Sequence, residues 1–237
     1  PLGEFRNVDN AKAILSTLII QAGSPIVTED NGMFRARLDY QGPTDILVPA
    51  NSALQFFTDY SNPKKSVYSW NRSLPRSKQF FLSEDLAIYF GFASELSDIR
   101  EKNPNLNFDI AMVPQVLDTN IKATYGEMYG FSILRGTQYP VETFNLLSLL
   151  AGADSVSTLL QVVNVAPARR DIIALGSNDP ARSVFFSSAL IARGWIDPDS
   201  TKSDKIFQDM VENITTGRMD VDDSVTRANL ELGGLLQ

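Results

Sequence analysis

Histidine and cysteine are both absent from this chain of 237 residues. Without histidine there is no Ser-His-Asp triad and no imidazole general base. Without either residue, the usual tetrahedral zinc site, a haem-binding imidazole, a thiolate nucleophile and a disulfide are excluded as well. An enzyme would have to work with carboxylates, lysine, tyrosine or a Ser-Lys pair, which is uncommon. The composition therefore favours binding over catalysis, and we expect no catalytic residue and no cofactor.

Basic residues are scattered and are outnumbered by acidic ones. The chain has 21 Lys and Arg against 28 Asp and Glu, a net charge of −7, and its densest basic cluster is a Lys-Lys pair at 64–65. A nucleic-acid groove needs clustered basic side chains, so we expect no nucleic-acid partner. The longest apolar stretch, residues 13–20, falls far short of the ~20 residues of a membrane span. The length suits one large or two small globular domains.

Residues 1–5 read Pro-Leu-Gly-Glu-Phe, which resembles the remnant of a protease recognition site followed by a restriction site. We therefore expect the natural sequence to begin near Arg6, and the fold is predicted without the first five residues. Any secretion signal or anchor would then have been cut away.

Local signals predict a helix-rich chain. Asn10 and Gly23 bracket a helix over residues 11–21, and Asn31-Gly32 marks the turn of a hairpin within residues 26–38. Proline at position 49 begins another helix, and shorter helices are expected at residues 77–82 and 94–101. Apolar runs predict buried strands at residues 85–92, 108–114 and 131–134. From residue 140 onward the pattern is helical, with later helices beginning near residues 180, 201 and 222.

Two polar motifs resemble a metal site and a catalytic site, but each lacks a feature that such a site requires. Residues 197–203 alternate oxygen-bearing side chains as a calcium loop does, but Lys202 and Gln208 stand where such a loop needs glycine and glutamate, so we expect no metal site. Ser61 and Lys64 have the Ser-x-x-Lys spacing of a nucleophile and its base. The Asn-Pro pair between them prevents the helical turn that would bring them together.

Several aromatic residues occur in polar loops or at the ends of predicted elements. Tyr68 and Trp70 lie in a polar loop, Phe92 follows the break at Gly91, and Tyr125 precedes Gly126 and the carboxylate Glu127. Rings at the ends of elements can stack on flat apolar faces, including those of sugars, while nearby polar groups bind hydroxyls. The alternative is that each ring covers an edge of the core.

The order of these segments resembles the C-terminal two-thirds of family 1 extracellular solute-binding proteins, the maltose-binding-like receptors of ABC importers. The segments that carry the resemblance are LIIQAGSPIVTEDNG, ALQFFTDYSNP, FFLSEDLAIYFGF, NFDIAMVPQ and YGEMYGFSILRGTQYPVETFNLLSLLAG. The resemblance implies a helix-rich α/β fold of the periplasmic-binding-protein type (type II) without its N-terminal lobe. It assigns residues 6–117 and 156–237 to the C-terminal lobe and residues 118–155 to the N-terminal lobe.

In that family a solute is trapped between two lobes and delivered to a membrane permease. By this resemblance, Phe92 falls near an aromatic residue of the family's ligand-binding cleft. Tyr125 and Gly126 fall on the loop where the chain re-enters the other lobe, and Trp70 falls in the segment that precedes the cleft strand. The expected ligand-binding residues are Tyr68, Trp70, Phe92, Tyr125, Gly126 and Glu127.

The resemblance therefore predicts a non-enzymatic, extracellular or periplasmic receptor, with a membrane anchor on the removed N-terminus as one option. Its partners would be a small solute, a sugar or an oligosaccharide captured in the cleft between the lobes, and the permease of an ABC importer. A surface interaction or scaffold protein built on the same fold, with no transported ligand, is the alternative. Without its first lobe, the edge of the strand at 131–134 would be open and available for self-association.

Overall fold

The computed structural model describes residues 1–43, 47–117 and 121–237. The chain forms two folded units and passes from one to the other four times. The first unit consists of residues 1–91, 114–125 and 193–237, and the second of residues 92–113 and 126–192. The predicted lobes differ from this division, since residues 92–113 and 156–192 group with 126–155. A hydrogen bond of 2.7 Å from Asn164 Nδ2 to Ser97 Oγ joins two parts of the second unit. The predicted boundary at residue 118 lies outside the described residues.

The first unit begins with helix α1 and a hairpin, and both predictions are confirmed. Helix α1 spans Ala11–Ala22 and ends at Gly23, whose φ of 111° places it in the left-handed region that glycine adopts most easily. Strands β1 (Val27–Asp30) and β2 (Met33–Ala36) pair antiparallel. Asn31 and Gly32 have φ values of 54° and 80°, as a two-residue type I′ turn requires.

Among its described residues, the first unit contains four more helices: α2 (Pro49–Asp59), α3 (Ser77–Leu82), α9 (Ser200–Thr215) and α10 (Val221–Leu235). Aspartates cap the last two, because Asp199 accepts hydrogen bonds from the N–H groups of Thr201 and Lys202, and Asp220 accepts one from Asp223. The starts predicted near residues 201 and 222 lie one residue beyond the observed starts at Ser200 and Val221, and the helices themselves are confirmed.

The core of the first unit lies among α1, α2, α9 and α10. Its fully buried side chains include Leu15, Ile19, Leu54, Phe57 and Phe207. Leu2 and Phe5 belong to the same cluster and are 9% and 8% exposed. Residues 1–5 are thus part of the folded unit, whatever their origin, and leaving them out of the fold prediction lost two core side chains.

The second unit consists mainly of helices and has a small buried core. After a 3₁₀ turn at Ala93–Glu95 it contains α4 (Leu96–Lys102), α5 (Pro140–Leu150), α6 (Ala153–Leu159), α7 (Arg170–Ala174) and α8 (Pro180–Leu190). Its buried cluster consists of Leu160, Ile172 and Phe186. Two short strands, β3 (Thr124–Tyr125) and β4 (Ala192–Arg193), pair with each other at two of the crossings.

The strands predicted at residues 85–92, 108–114 and 131–134 are wrong. Within the described residues, none of these segments belongs to a sheet. A strand requires a neighbouring strand to pair its backbone groups, and an apolar run does not provide that neighbour. Ile88 in the first run and Leu134 in the last are 63% and 78% exposed, so these residues do not occupy the buried strands that were expected.

Membrane-spanning helices are not found in the part of the chain that the structure describes. None of its helices combines sufficient length with sufficient apolar character to cross a bilayer.

Two ion pairs attach the first residues of the chain to the rest of the first unit. Arg6 donates to both carboxylate oxygens of Glu212 on α9, with Nε–Oε1 and Nη2–Oε2 distances of 2.6 and 3.0 Å. Arg72 donates to Glu4 at 2.8 Å. The Arg6 hydrogen bonds lower the pKa of Glu212 to about 2, and a further hydrogen bond from Gln208 acts in the same direction.

Glu212 should make the stability of the protein sensitive to acid. Because its folded pKa lies below its usual value, its contribution is present above pH ~4.5 and is lost as the pH falls toward 2. We expect Glu212→Gln to lower the free energy of unfolding by about 1–2 kcal/mol at pH 7 and by much less near pH 2.5. Urea unfolding at a series of pH values measures this difference.

The control is Glu231→Gln, which removes an exposed i,i+4 pair with Arg227 on α10. We expect a loss of at most about 0.5 kcal/mol for that variant. A Glu212→Gln loss that stayed constant from pH 7 to 2.5 would contradict the assignment of this carboxylate as the source of the acid sensitivity.

Candidate functional site

Three of the six predicted ligand-binding residues flank places where the chain passes from one unit to the other. Phe92 is the first residue after one crossing, and Tyr125 and Gly126 lie on either side of another. Glu127 follows directly and is exposed. Tyr68 and Trp70, by contrast, lie well inside the first unit.

Two polar side chains of α1 hold the segments next to the crossings. Thr17 Oγ1 accepts a hydrogen bond of 2.9 Å from the Tyr125 N–H. Gln21 Nε2 donates to the carbonyl oxygens of Ala123 and Pro114, at 2.8 and 3.1 Å. Both side chains are buried, at 6% and 3% exposure. Buried backbone groups need partners, so this pair fixes where both segments lie in the first unit.

Sequence reasoning missed Thr17 and Gln21, although a signal for them exists. They are four residues apart in α1, so they lie on one face of the helix. A polar pair on a buried helical face predicts hydrogen bonds to a neighbouring backbone.

Gly126 lets its backbone lie close to Ala192, next to another point where the chain passes between the units. A Cβ built at this position would lie 2.9 Å from the Cβ of Ala192, which is closer than two carbon atoms can pack without a backbone shift. Ala192 is the last residue of the second unit before the chain crosses again. The requirement for glycine at position 126 is therefore steric.

The ring of Phe92 is half-buried, and its backbone N–H is bound. Glu95 Oε2 accepts a hydrogen bond of 2.8 Å from the Phe92 N–H and so closes the 3₁₀ turn that follows. This bond fixes the backbone at the crossing and leaves part of the ring accessible.

Tyr68 and Trp70 share a loop but have opposite environments. The Tyr68 side chain is 40% exposed, and its hydroxyl accepts a hydrogen bond of 3.0 Å from Asn71 Nδ2. Trp70 is only 2% exposed and packs edge-to-face on Phe80, with the ring centroids 5.9 Å apart. The Trp70 ring N–H donates to Asn7 Oδ1 at 3.2 Å. The expectation that Trp70 displays its ring to a ligand is therefore corrected: the ring belongs to the core of the first unit.

A lysine and a serine do meet in the first unit, but not as a nucleophile and its base. Lys12 Nζ donates to Ser203 Oγ at 3.0 Å and to Asp197 Oδ2 at 2.9 Å. Ser203 has no exposed surface to meet a substrate, and Lys12 is engaged in an ion pair with Asp197. The cluster joins α1 to the start of α9.

No group of acidic side chains suited to a metal ion occurs among residues 1–43, 47–117 and 121–237.

The second unit contains an open groove of about 580 Å³ that the sequence did not predict. Arg100, Asn103, Phe108 and Asp109 line one part of it, and the start of α8 lines another. Asp179 in its wall already accepts hydrogen bonds from the N–H groups at the start of that helix. None of the six predicted ligand-binding residues lines this groove.

Trp70→Ala should destabilise the protein because it empties a buried site and leaves Asn7 Oδ1 without its indole donor. We expect a loss of about 3–5 kcal/mol in the free energy of unfolding, measured by urea titration. Tyr68→Ala, two residues away and exposed, should change it by less than about 0.5 kcal/mol. Similar losses for the two variants would mean that Trp70 is not a core residue.

Gly126→Ala should strain the backbone beside Ala192 and lower the free energy of unfolding by about 1–3 kcal/mol. Gly130→Ala is the matched control, because a Cβ at that position would meet no atom within 4 Å. It should be neutral or slightly stabilising. Hydrogen exchange at residues 124–126 and 192–193 locates the effect, and faster exchange there only in the Gly126 variant is the expected result. Equal destabilisation by both substitutions would contradict the steric explanation.

No protein-family model matches the sequence, and no curated protein is significantly similar to it. Solved structures do resemble it in fold. A cyclo/maltodextrin-binding protein complexed with maltotetraose has a TM-score of 0.70 at 13% identity, over 95% of this chain and 57% of its own. An ABC transporter solute-binding protein from Thermotoga lettingae, bound with alpha-D-tagatose, has a TM-score of 0.65 at 16% identity, over 99% of this chain and 58% of its own.

A protein from Synechococcus sp. MITs9220, assigned as an oligosaccharide periplasmic-binding protein, has a TM-score of 0.64 at 17% identity, over 98% of this chain and 60% of its own. The chain therefore spans less than two thirds of the length of each of these proteins. At such identities the likeness concerns the fold alone. The chain has the helix-rich α/β fold of periplasmic solute-binding proteins, which confirms the predicted fold class.

Proposed function

We propose that this chain is the solute-binding component of an ABC import system and that its solute is a sugar or an oligosaccharide. The observation that carries the proposal is that the solved structures with a similar fold are described as carbohydrate-binding proteins. Two of them hold maltotetraose and alpha-D-tagatose, and the third is assigned to oligosaccharides. The proposal places the protein outside the cytoplasm, where it would deliver its solute to a membrane permease.

The composition supports capture without chemistry. Binding by aromatic faces and hydrogen-bonding groups requires neither histidine nor cysteine, and the chain contains neither. The Ser203–Lys12 contact, where a nucleophile would be sought, is closed to solvent. These features favour a receptor over a hydrolase.

The proposed contacts come from residues with accessible side chains or backbone. Tyr68 offers an exposed ring whose hydroxyl is oriented by Asn71, and a ring held in this way loses little freedom when a sugar stacks on it. Phe92, Tyr125, Gly126 and Glu127 are the other proposed contacts, with Glu127 accepting hydrogen bonds from hydroxyl groups. Trp70 is left out because its ring is buried.

Tyr68→Ala should weaken sugar binding by about two- to tenfold, since one aromatic contact of this kind is worth roughly 0.5–1.5 kcal/mol. The probes are maltotetraose, alpha-D-tagatose and triglycine, titrated into the full chain and followed by calorimetry or by ligand-observed NMR. We expect a sugar to bind and triglycine not to bind.

Tyr40→Ala is the matched control, because Tyr40 is 39% exposed against 40% for Tyr68 and belongs to no proposed contact. Its affinity for the sugar should equal that of the unmodified chain. Equal weakening by both variants would remove Tyr68 from the site. If neither sugar bound, the proposed function would fail and a scaffold role without a transported solute would be favoured.

A further inference from the structure

The turn between β1 and β2 contains a chemically reactive pair of residues, Asn31 and Gly32. The carboxamide carbon of an asparagine can be attacked by the backbone nitrogen of the next residue, and a side chain on that next residue obstructs the approach. Glycine has no Cβ and so removes the obstruction. No other asparagine in the sequence is followed by glycine.

The structure leaves both reacting groups accessible. Asn31 and Gly32 are exposed, and a Cβ built at Gly32 would meet no atom within 4 Å. Across residues 1–43, 47–117 and 121–237, no hydrogen bond holds the Asn31 side-chain amide or the Gly32 N–H. The strand pairing ends at Asp30 and Met33, so the ladder does not use the N–H of Gly32. Water can therefore reach the Asn31 carboxamide and the Gly32 nitrogen.

Asn51 shows the opposite arrangement, although the residue that follows it, Ser52, is also small. Its Nδ2 donates to Asp222 Oδ1 at 2.9 Å. The Ser52 N–H donates to the Val48 carbonyl oxygen at 3.4 Å in the first turn of α2. A reaction at Asn51 would have to break both hydrogen bonds and open the helix, so this residue serves as a reference within the same chain.

The hairpin is held at its base and is lightly restrained at its tip. Ile26 and Leu38, which flank the two strands, have no exposed surface, and the Arg37 N–H donates to the Ile26 carbonyl oxygen at 2.7 Å. At the tip, Asp30 and Met33 are exposed. The tip can therefore rearrange while the base stays in the core of the first unit.

We propose that Asn31 is a site of spontaneous deamidation, with water as the only co-reactant. Hydroxide removes the Gly32 N–H proton, the nitrogen bonds to Asn31 Cγ, and the Cγ–Nδ2 bond breaks with release of ammonia. Water then opens the cyclic imide. Addition at Cγ gives aspartate, and addition at the main-chain carbonyl carbon gives isoaspartate. One water is consumed for each ammonia released, and nothing is oxidised or reduced.

Either product changes the tip of the hairpin. A new carboxylate at position 31 would lie beside Glu29 and Asp30, and Asp30 is already paired with Arg37 at 3.1 Å. Isoaspartate also routes the backbone through the side chain and lengthens it by one carbon atom. A two-residue turn cannot absorb that atom while it keeps Asp30 opposite Met33, so we expect the tip to loosen. The inference is independent of the proposed sugar binding.

The test is incubation of the full chain at pH 7.0 and at pH 8.5, followed by proteolysis and mass spectrometry. Electron-transfer fragmentation distinguishes isoaspartate from aspartate. We expect the peptide that contains Asn31 to exchange its amide for a carboxylate, several-fold faster at pH 8.5 because the first step consumes hydroxide. The peptide that contains Asn51 should stay unchanged. Asn31→Gln is the matched control and should not react, because its longer side chain would have to close a larger ring.

The chain unfolded in guanidinium chloride gives the rate of the same pair without the hairpin. An Asn31 that stays intact in the folded chain while it reacts in the unfolded chain would overturn the proposal, because the turn would then protect the pair. Equal conversion at Asn51 in the folded chain would also overturn it, since exposure and free hydrogen-bonding groups would not select the site.

Asn31→Asp separates the effect of the charge from that of the longer backbone. Hydrogen exchange at residues 27–36 should be faster in the isoaspartate form than in this variant, which carries the same charge on an unaltered backbone. Equal exchange in the two would contradict the expected loosening of the tip.

Discussion

Buried backbone N–H and carbonyl groups need hydrogen-bond partners, and in the first unit side chains of helix α1 provide several of them. The positions of the neighbouring segments depend on these hydrogen bonds. The apolar side of the helix fills the core of the first unit through Leu15 and Ile19. Its buried polar pair, Thr17 and Gln21, binds one backbone N–H and two carbonyl groups in the segments next to the crossings. Losing such a partner costs about 1–3 kcal/mol for each buried group, so these segments are held in position by the same helix that organises the core.

Local signals in the sequence were sufficient for most helices and for the hairpin. Gly23, the Asn31-Gly32 pair and the proline at position 49 act within a few residues of where they stand, so their structural effects can be predicted without knowing the rest of the chain. The predicted strands failed because sheet formation depends on distant partners. An apolar run such as residues 131–134 has the composition of a strand, and only tertiary structure decides whether another strand lies beside it.

The candidate site shows the same limit for individual side chains. Tyr68 and Trp70 are two residues apart in one polar loop, and composition alone gave them the same role. Their environments differ because Trp70 finds a hydrogen-bond acceptor in Asn7, 63 positions earlier in the chain, and an aromatic neighbour in Phe80. A buried indole needs a partner for its N–H, and a partner so distant in sequence leaves no local signal.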